Sequence, residues 1–550
     1  MHAMRLALVL ALASPAPQAS QPRPPRPQAS TGAITGHVFA ADTGAPLRHA
    51  SVRALSRGSR AWAQAGTDDQ GRYAINDLPP GQYVITASKG GYVSMQFGQA
   101  RPLEPVRPVD VSAGVTTERI DLVLPRGGVI TGRIVDDLGQ PVIDAVVSPL
   151  RSRYVAGQRR LEPAGRFART DDRGQYRIYG LGPGQYTVQA TWRDSDAGDS
   201  GDQISYAPTY YPGTSDPSSA ARIAVQAGQE VASVDFALAA VPVATLSGVV
   251  VDSSGRPMRN ARLALRQLIR TSAAVVLSNA CGGRTRQDGA FTMVGVIPGD
   301  YTLVAHGNGP HGPEIGSVPV SLGGQDLSGV QITTSPGTTA RGRIFVDAKR
   351  APTFDPQVLR IEAVPEQPDD EGWQRNAARP ADDGTFELTG LTGRAWIRVP
   401  NLPAGWVLES VRAGGADVTD APVDFSGRDL VADLQVTLTD RLTTVNGGVL
   451  DDDGRPVLDY VLLVFPQDAA LRGYQSRYVK AVQPDGQGRF EVRGLPPGAY
   501  LAAAVASIED GEETDPDLLE RLSRDATKFT LKDGETKTVT VRPQNASPLQ

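Results

Sequence analysis

The sequence predicts an all-β protein built as a tandem array of five antiparallel β-sandwich domains. The 550 residues include 59 glycines and 43 prolines without a collagen-like period, a composition typical of many short strands joined by many turns. Hydrophobic residues make up 40% of the chain and alternate with polar ones, which indicates packed strands rather than disorder. One sequence pattern also recurs along the chain, for example as "NDLPPGQYVITA" at 76–87 and "RGLPPGAYLAAA" at 493–504.

Three markers define the repeated unit. Each copy opens with Gly-x-Val/Ile, and the steps between the opening glycines are 96, 116, 94 and 105 residues: Gly36, Gly132, Gly248, Gly342 and Gly447. A second marker of the type "DDQGRYAI" carries an aromatic residue: Tyr73, Tyr176, Phe291, Phe386 and Phe490. A further aromatic residue follows ten positions later in every copy: Tyr83, Tyr186, Tyr301, Trp396 and Tyr500. Repetition at about 100 residues predicts one domain per copy.

The residue types in each copy predict its local structure. Gly-x-Val/Ile opens a strand whose alternate residues face a core. "DDxG" predicts a turn, because Asp caps backbone amides and Gly accepts positive φ. "LPPG" predicts the next reversal, since Pro fixes φ and lacks an N–H donor. The tyrosine that follows resembles the tyrosine corner of immunoglobulin-like sandwiches, so we expect a buried ring whose hydroxyl bonds an upstream backbone group. Trp396 takes this place in the fourth copy and is expected in the core.

These markers divide the chain into five predicted units, which keep these names below. Unit one is 32–125, unit two 126–240, unit three 241–335, unit four 336–441 and unit five 442–545. Unit five also contains a predicted helix near 515–525. Asp515 is expected to cap its N-terminus, Pro516 suits its first turn, and Leu518, Leu519 and Leu522 form an apolar stripe over the sandwich. The short junctions predict an extended row of units, roughly 150–200 Å long at ~3.3 Å per strand residue.

The markers "G-x-V/I…G-x-P" and "D-x-x-G-x-Y/F…L-P-P-G-x-Y-x-V" resemble the carboxypeptidase regulatory-like domain. The resemblance covers all five units, although unit four departs from it because "GLTGRAWIRV" lacks the Pro and the Tyr. It implies immunoglobulin-like or prealbumin-like Greek-key sandwiches, similar to transthyretin and to starch-binding domains. It also implies a non-catalytic module, so the chain is expected to be no enzyme, and a fold alone does not define a function.

Charge and cysteine content exclude several classes of function. The formal net charge is −5, and the basic residues are scattered, so no nucleic-acid surface is indicated. The single cysteine, Cys281, excludes an intrachain disulfide and a cysteine-based metal site. We therefore expect no cofactor and no structural metal.

The N-terminus predicts export. Residues 1–19 combine Arg5 with an apolar run from Leu6 to Ala13 and small residues, which is typical of a short signal peptide. Residues 20–31 form a Pro-rich linker. No cysteine follows this run for lipid attachment. The run is itself too short to span a membrane, and no other apolar stretch is long enough. The sequence predicts a periplasmic or extracellular protein without membrane insertion.

Each candidate catalytic or metal-binding motif in the sequence has a simpler interpretation. His306, His311 and Glu314 could form a zinc set, but they lie in a Gly/Pro loop, and we expect a polar loop there. No Gly-x-Ser-x-Gly motif supports a serine hydrolase. The paired aspartates of the repeated turns are expected to cap backbone amides, with weak calcium binding as the alternative. No catalytic and no metal-binding residues are predicted.

The remaining candidate is a binding site in unit two. "QISYAPTYYPGTSDP" (203–217) follows Trp192 and places Tyr206, Tyr210 and Tyr211 in a Pro/Gly loop, where exposed aromatic faces would suit stacking on sugar rings. The alternative is that these tyrosines pack on the sandwich or lock the junction with unit three. The leading hypothesis is an exported carbohydrate-binding array whose partner is a polysaccharide or a cell-surface protein. The alternative is a structural spacer or protein-interaction scaffold with no small-ligand site.

Overall fold

The computed structural model describes residues 31–544 except 58–60, 100, 103, 105, 193–203, 271–273, 311, 349–353, 367–375, 401 and 428–429. The predicted signal peptide, nearly all of the Pro-rich linker, and His311 lie outside the described residues. The described chain is dominated by β-strands, which confirms the predicted all-β class.

Unit one consists of two sheets around one core. Its strands are β1 (Gly32–Ala40), β2 (Ser51–Ser56), β3 (Trp62–Gly66), β4 (Arg72–Leu78), β5 (Gly81–Ser88), β6 (Met95–Gln96), β7 (Val109–Val111), β8 (Thr116–Thr117) and β9 (Leu122–Leu124). One sheet has the order β4-β1-β8, with β9 also on β1, and the other has the order β3-β2-β5-β6, with β7 also on β5. Residues of both sheets share one hydrophobic cluster, as expected for a sandwich.

Units two and three repeat this plan and share a sheet. Strands β11 and β15 of unit two continue through β12 into β24 of unit three, because β12 and β24 pair in parallel. The strands of unit two are β10 (Gly128–Val135), β11 (Val146–Val155), β12 (Gln158–Pro163), β13 (Ala168–Arg169), β14 (Gln175–Leu181), β15 (Gly184–Thr191), β16 (Ile204–Tyr206), β17 (Thr209–Tyr210), β18 (Ile223–Val225), β19 (Glu230–Val231), β20 (Phe236–Ala237) and, at the predicted boundary, β21 (Ala240–Pro242). Those of unit three are β22 (Ala244–Val251), β23 (Arg262–Arg270), β24 (Val275–Arg284), β25 (Ala290–Val296), β26 (Gly299–Gly309), β27 (Gly312–Leu322) and β28 (Leu327–Thr333).

Units four and five complete the array. The strands of unit four are β29 (Thr338–Asp347), β30 (Ile361–Pro365), β31 (Asn376–Ala378), β32 (Thr385–Leu391), β33 (Arg394–Arg398), β34 (Val407–Ala413), β35 (Ala416–Asp417), β36 (Val423–Asp424) and β37 (Leu430–Thr439). Unit five contains β38 (Thr444–Val449), β39 (Val461–Pro466), β40 (Lys480–Val482), β41 (Arg489–Arg493), β42 (Gly498–Val505), α1 (Pro516–Ser523), β43 (Thr527–Leu531) and β44 (Thr536–Val541). Short 3-10 helices occur at Pro217–Ser219, Pro356–Val358, Ala469–Leu471 and Glu512–Thr514. The buried residues of each predicted unit form their own cluster, while the unit boundaries themselves stay a prediction.

The opening glycine of each unit is fixed by a close approach of two strands. The first strand of every unit pairs in parallel with a late strand of the same unit, a feature that the sequence did not predict. A Cβ built on the opening glycine would lie only 1.8 to 2.4 Å from a backbone carbonyl oxygen of that late segment. Glycine is therefore required at this position because any side chain would separate the two strands.

The predicted tyrosine register is confirmed in four units. The hydroxyl of each tyrosine donates to the carbonyl oxygen four residues upstream, at 2.6 to 2.8 Å: Tyr83 to Pro79, Tyr186 to Gly182, Tyr301 to Ile297 and Tyr500 to Pro496. All four rings are buried. The repeated motif thus specifies a buried tyrosine ring whose hydroxyl is hydrogen-bonded to the turn preceding its own strand.

The expectation that Trp396 occupies this core position is wrong. The turn of unit four is one residue shorter, so Ala395 follows its glycine at the tyrosine's place and is buried in the core. Trp396 falls on the opposite face of β33 and is half-buried. Side chains alternate along a strand, so a one-residue shift changes the face. The ring contacts Tyr474 of unit five edge-on, with centroids 5.7 Å apart.

The predicted helix of unit five is confirmed as α1. The Asp515 side chain accepts a hydrogen bond from the Asp517 backbone N–H, which is an N-cap. Leu518, Leu519 and Leu522 are buried against the outer face of β39 and β42, so this sheet has a core on both sides. Consistent with this, every residue of β39 is buried.

The expectation of an extended row of units is also wrong, because unit five contacts units one, two and four. Arg101 of unit one donates to Ser507 Oγ at 2.6 Å. Arg151 of unit two donates to Glu509 at 2.6 Å. Arg398 of unit four donates to the Gln475 carbonyl oxygen at 2.9 Å. The chain therefore folds back on itself, and its last unit lies against its first two.

Candidate functional site

The aromatic loop of unit two lies at the junction with unit three. β16 pairs with β21, and β17 pairs with β15, so backbone hydrogen bonds tie the loop down at both places. A crevice of about 260 Å³ separates it from unit three and is lined by residues that include Pro208, Tyr210, Gln267 and Pro298. The loop is thus part of the junction rather than a projecting arm.

Of the two alternatives for the three tyrosines, packing on the sandwich or at the junction is the one that holds for Tyr210, which is 1% exposed. Its hydroxyl accepts a hydrogen bond from Gln189 Nε2 at 2.9 Å. Burial raises the pKa of Tyr210 to about 12, and the Gln189 hydrogen bond opposes this shift in part. Tyr210 is thus buried at the junction with unit three and has almost no exposed surface for stacking on a ligand.

The other three aromatic residues are half-buried, and their rings have different orientations: Trp192, Tyr206 and Tyr211. Trp192 and Tyr206 meet edge-to-face, with ring centroids 5.8 Å apart. The Trp192 Nε1–H donates to the Ile143 carbonyl oxygen at 2.9 Å, and the Tyr206 hydroxyl donates to Asp137 at 3.0 Å. Tyr211 instead packs edge-on against Phe236 at 6.0 Å. The structure therefore brings Trp192 and Tyr206 together but does not form one flat platform, and carbohydrate binding stays a prediction.

Burial and the nearby carboxylate affect the Tyr206 hydroxyl. Partial burial, and the hydrogen bond to Asp137, raise the pKa of Tyr206 to about 12. The hydroxyl therefore stays protonated at neutral pH and acts as a donor to the carboxylate. This bond fixes the orientation of the ring beside Trp192.

The residues considered for zinc have other roles. Glu314 is buried, and its carboxylate accepts hydrogen bonds from the Ser253 backbone N–H at 3.0 Å, the Ser253 hydroxyl at 2.6 Å and the Thr334 hydroxyl at 2.6 Å. His306 lies on β26, where burial and then Arg266 lower its pKa. Within the described part of the chain, no group of three His, Cys, Asp or Glu residues is arranged to hold a metal ion.

The repeated aspartates cap turns, as the sequence predicts. Asp68 Oδ1 accepts from the backbone N–H groups of Gln70 at 2.9 Å and Arg72 at 2.8 Å. The same pair of bonds is made by the aspartates of five further turns: Asp136, Asp171, Asp252, Asp451 and Asp485. The Arg72 backbone bond is the main cause that lowers the pKa of Asp68. These carboxylates stabilise the turn itself.

Sequence reasoning missed the residues that close the array. In unit two, the hairpin of β11 and β12 presents arginines, and Arg159 donates to Asp515 of unit five at 2.5 Å. In unit four, Asp420 accepts from Arg477 of unit five at 2.8 and 3.0 Å. The available signal was the density of charge in "LRSRYVAGQRRLE" and "IEDGEETDPD". A sequence does not show which of these charges meet.

Comparison with known proteins supports the repeated plan for the first unit. Residues 33–125 match the family model of the carboxypeptidase regulatory-like domain. Unit one is therefore similar to the domains of this family. No curated protein matches the sequence.

Several solved structures are similar to the array at low identity. The Streptococcal ancillary pilin is 13% identical, with a TM-score of 0.20, and covers 56% of this chain and 99% of its own. The Bacillus anthracis TIE protein is 9% identical, with a TM-score of 0.14, and covers 94% of this chain and 74% of its own. BcpA, the major pilin subunit of Bacillus cereus, is 12% identical, with a TM-score of 0.15, and covers 55% of this chain and 99% of its own. At these values neither the arrangement of units nor a function carries over from these proteins to this chain.

Proposed function

We propose that this chain is a non-catalytic scaffold that holds its β-sandwich units in one closed arrangement. The observation that supports the proposal is the position of unit five, which is hydrogen-bonded to units one, two and four. A spacer that only extends reach would not need contacts between its first and last units. A scaffold that presents surfaces at fixed relative positions does need them.

The joint between units four and five is built for rigidity. The Arg477 guanidinium donates to both carboxylate oxygens of Asp420 and to the carbonyl oxygens of Leu408 at 2.9 Å and Glu409 at 3.0 Å. Both charged side chains of this pair are largely buried. A bidentate, partly desolvated pair of this kind orients its partners more firmly than an exposed ion pair.

A second residue adds to the same joint. Arg398 of unit four donates to the carbonyl oxygens of Thr419 and, across the joint, Gln475. Burial lowers the pKa of Arg398 to about 10, so the guanidinium still carries its charge at neutral pH. The joint between the last two units is therefore held by two arginines, the Asp420 carboxylate and several backbone carbonyls.

Carbohydrate binding is the second candidate, and the Trp192–Tyr206 pair favours it, since the two aromatic rings lie together and are only half-buried. The two functions are separated by the retention of residues 32–550 on a panel of immobilised polysaccharides. If the protein is only a scaffold, no immobilised polysaccharide retains it. Retention that is lost in Trp192→Ala/Tyr206→Ala, and kept in the exposed control Tyr179→Ala, makes the protein a carbohydrate binder and contradicts the scaffold proposal.

Export is part of the proposal, to the periplasm or beyond it. It rests on the pattern of residues 1–19, which precedes the described residues. Among the described helices, none is both long and apolar enough to cross a membrane. Expression of the full chain in a bacterium, followed by N-terminal sequencing of the periplasmic fraction, tests it. A protein that stays in the cytoplasm with residues 1–19 attached contradicts it.

A further inference from the structure

The arginine hairpin of unit two, defined as residues 146–163, carries four arginines near its tip: Arg151, Arg153, Arg159 and Arg160. Arg153 lies directly opposite Arg160 in the antiparallel pairing of β11 and β12, Arg151 lies opposite Glu162, and Arg159 lies opposite Tyr154. Like charges placed opposite each other on paired strands destabilise the pair. An anion beside Arg153 offsets part of this repulsion.

The ligand in this structure is the acidic segment of unit five, defined as residues 509–515. Five of its seven residues carry a carboxylate, as the sequence "EDGEETD" shows. Arg151 donates to Glu509 at 2.6 Å, and Arg153 lies 3.9 Å from the same carboxylate. Arg159 donates to Asp515, which is almost completely buried. The contacts join residues separated by more than 350 positions in the chain.

The fit is steric as well as electrostatic. Gly511, in the middle of the acidic segment, has φ of 96°, and a Cβ there would lie 2.1 Å from the Tyr154 carbonyl oxygen of the hairpin. Gly157, at the tip of the hairpin, packs against Tyr474 of unit five, where a Cβ would lie 2.8 Å from the Tyr474 Cβ. Two glycines on opposite sides of one contact allow the two backbones to approach closely. The hairpin therefore accepts an acidic peptide that carries a glycine between its carboxylates.

The bonds that hold this contact respond to the medium. The side chains of Arg151, Arg159 and Glu509 are each between 15% and 27% exposed, so salt screens these ion pairs in part. The Debye length falls from about 10 Å at 0.1 M salt to about 3 Å at 1 M, which weakens attraction between such groups. The contact is thus a docking of two preformed surfaces, unlike the continuous cores inside the units.

We propose that the arginine hairpin is a binding surface for acidic peptides, that the acidic segment of the same chain occupies it in the closed form, and that the acidic segment of a second copy is its partner between chains. The same residues serve in both cases, since the geometry of the contact is independent of whether its two sides belong to one chain. Exchange of an identical element between copies is a low-cost route to assembly. Opening one chain thereby creates a hairpin and a segment that can each join another chain.

Charge reversal separates the two forms of the contact. In full-length chains, Arg151→Glu and Glu509→Arg each place like charges at the contact, so each variant alone is expected to be open and monomeric. Small-angle scattering then shows a maximum dimension that increases toward the roughly 150–200 Å of five units in a row at ~3.3 Å per strand residue. The double variant Arg151→Glu/Glu509→Arg restores opposite charges and is expected to recover the dimension of the parent.

Mixing the two single variants tests the contact between chains. Each then offers the charge that the other needs, so a complex of the two is expected in sedimentation velocity, and it dissociates at about 1 M salt. The control is Arg177→Glu, which breaks an exposed ion pair with Glu230 inside unit two and should leave both measurements unchanged. Unchanged circular dichroism shows that each variant is folded.

Two results overturn the proposal. If the folded single variants keep the maximum dimension of the parent, the contact does not close the chain. If the mixture sediments as separate monomers although each variant is open, the hairpin does not take the segment of a second copy. Recovery in the double variant without a complex in the mixture leaves a contact that forms only within one chain, which also contradicts the proposal as stated.

Discussion

Two adjacent glycines of β38 allow a stringent test of the strand packing that opens every unit. A Cβ on Gly447 would lie 1.8 Å from the Val539 carbonyl oxygen and 2.8 Å from the Phe490 ring. A Cβ on Gly448 would meet only the Gly488 carbonyl oxygen, at 3.6 Å, which is ordinary contact. The same substitution at neighbouring positions is therefore expected to have opposite effects.

The magnitude follows from the distance that the strands must move. For Gly447→Ala, 1.8 Å is about 1.6 Å short of the 3.4 Å at which ordinary contact begins, so β44 has to leave its parallel pairing with β38. Overpacking of this kind costs about 1–3 kcal/mol, and more where the backbone cannot yield. Gly448→Ala is expected to be neutral or to stabilise by up to about 1 kcal/mol, because alanine restricts the unfolded chain.

Hydrogen exchange measured by mass spectrometry is the suitable assay, since a chain of several units does not unfold in one two-state step. Peptides from Thr444–Val449 and Thr536–Val541 report on β38 and β44. A difference of about 1–4 kcal/mol between the two variants corresponds to roughly 5- to 700-fold in protection, at tenfold per 1.4 kcal/mol. Equal protection in both variants would refute the claim that the opening glycine is required by the neighbouring strand.

Three further outcomes are expected. Tyr186→Phe removes the hydroxyl bond to the turn and should destabilise unit two by about 1 kcal/mol in hydrogen exchange of β15, whereas Tyr179→Phe, at an exposed position, should have no effect. Burial raises the pKa of Glu512 and Glu513 above its ordinary value of 4.5. Above pH 4.5 the folded state therefore still holds protons that the unfolded chain has lost, so the stability of the folded state falls as the pH rises. Changing both to Gln should therefore raise the thermal midpoint of unit five at pH 8 and not at pH 4, and an equal gain at both pH values contradicts this. Trp396→Ala removes an edge contact with unit five, so it should weaken the joint by about 1 kcal/mol while exchange in the core of unit four stays unchanged.

The elements that sequence reasoning predicted correctly are those set by nearby residues. The aspartate turns, the tied tyrosines and the capped helix α1 each depend on bonds between positions two to four residues apart. Such bonds form in whichever unit carries the motif, so five copies of one pattern gave a reliable register. Trp396 shows the limit, because a turn shortened by one residue kept the ten-residue spacing from Phe386 but moved the ring to the other face.

The candidate site was predicted less well because exposure is decided by neighbours that are distant in sequence. Tyr210 occurs in a loop rich in Pro and Gly, which favours an exposed ring. In the structure β17 pairs with β15, and this places the ring beside Gln189, within the core. Composition alone cannot distinguish a loop that projects from one that is folded back as an edge strand.

The sequence by itself determined the class of the protein, the repeated unit, the position of its buried tyrosines and the turns between its strands, since all of these depend on local chemistry and period. Only the tertiary structure decided the order of the units in space. Arg151 and Glu509 are separated by 358 positions and meet because the intervening units bend the chain back. Ion pairs between exposed charges leave no periodic signal in a sequence, so the contact that closes the array became visible only when both partners had been placed.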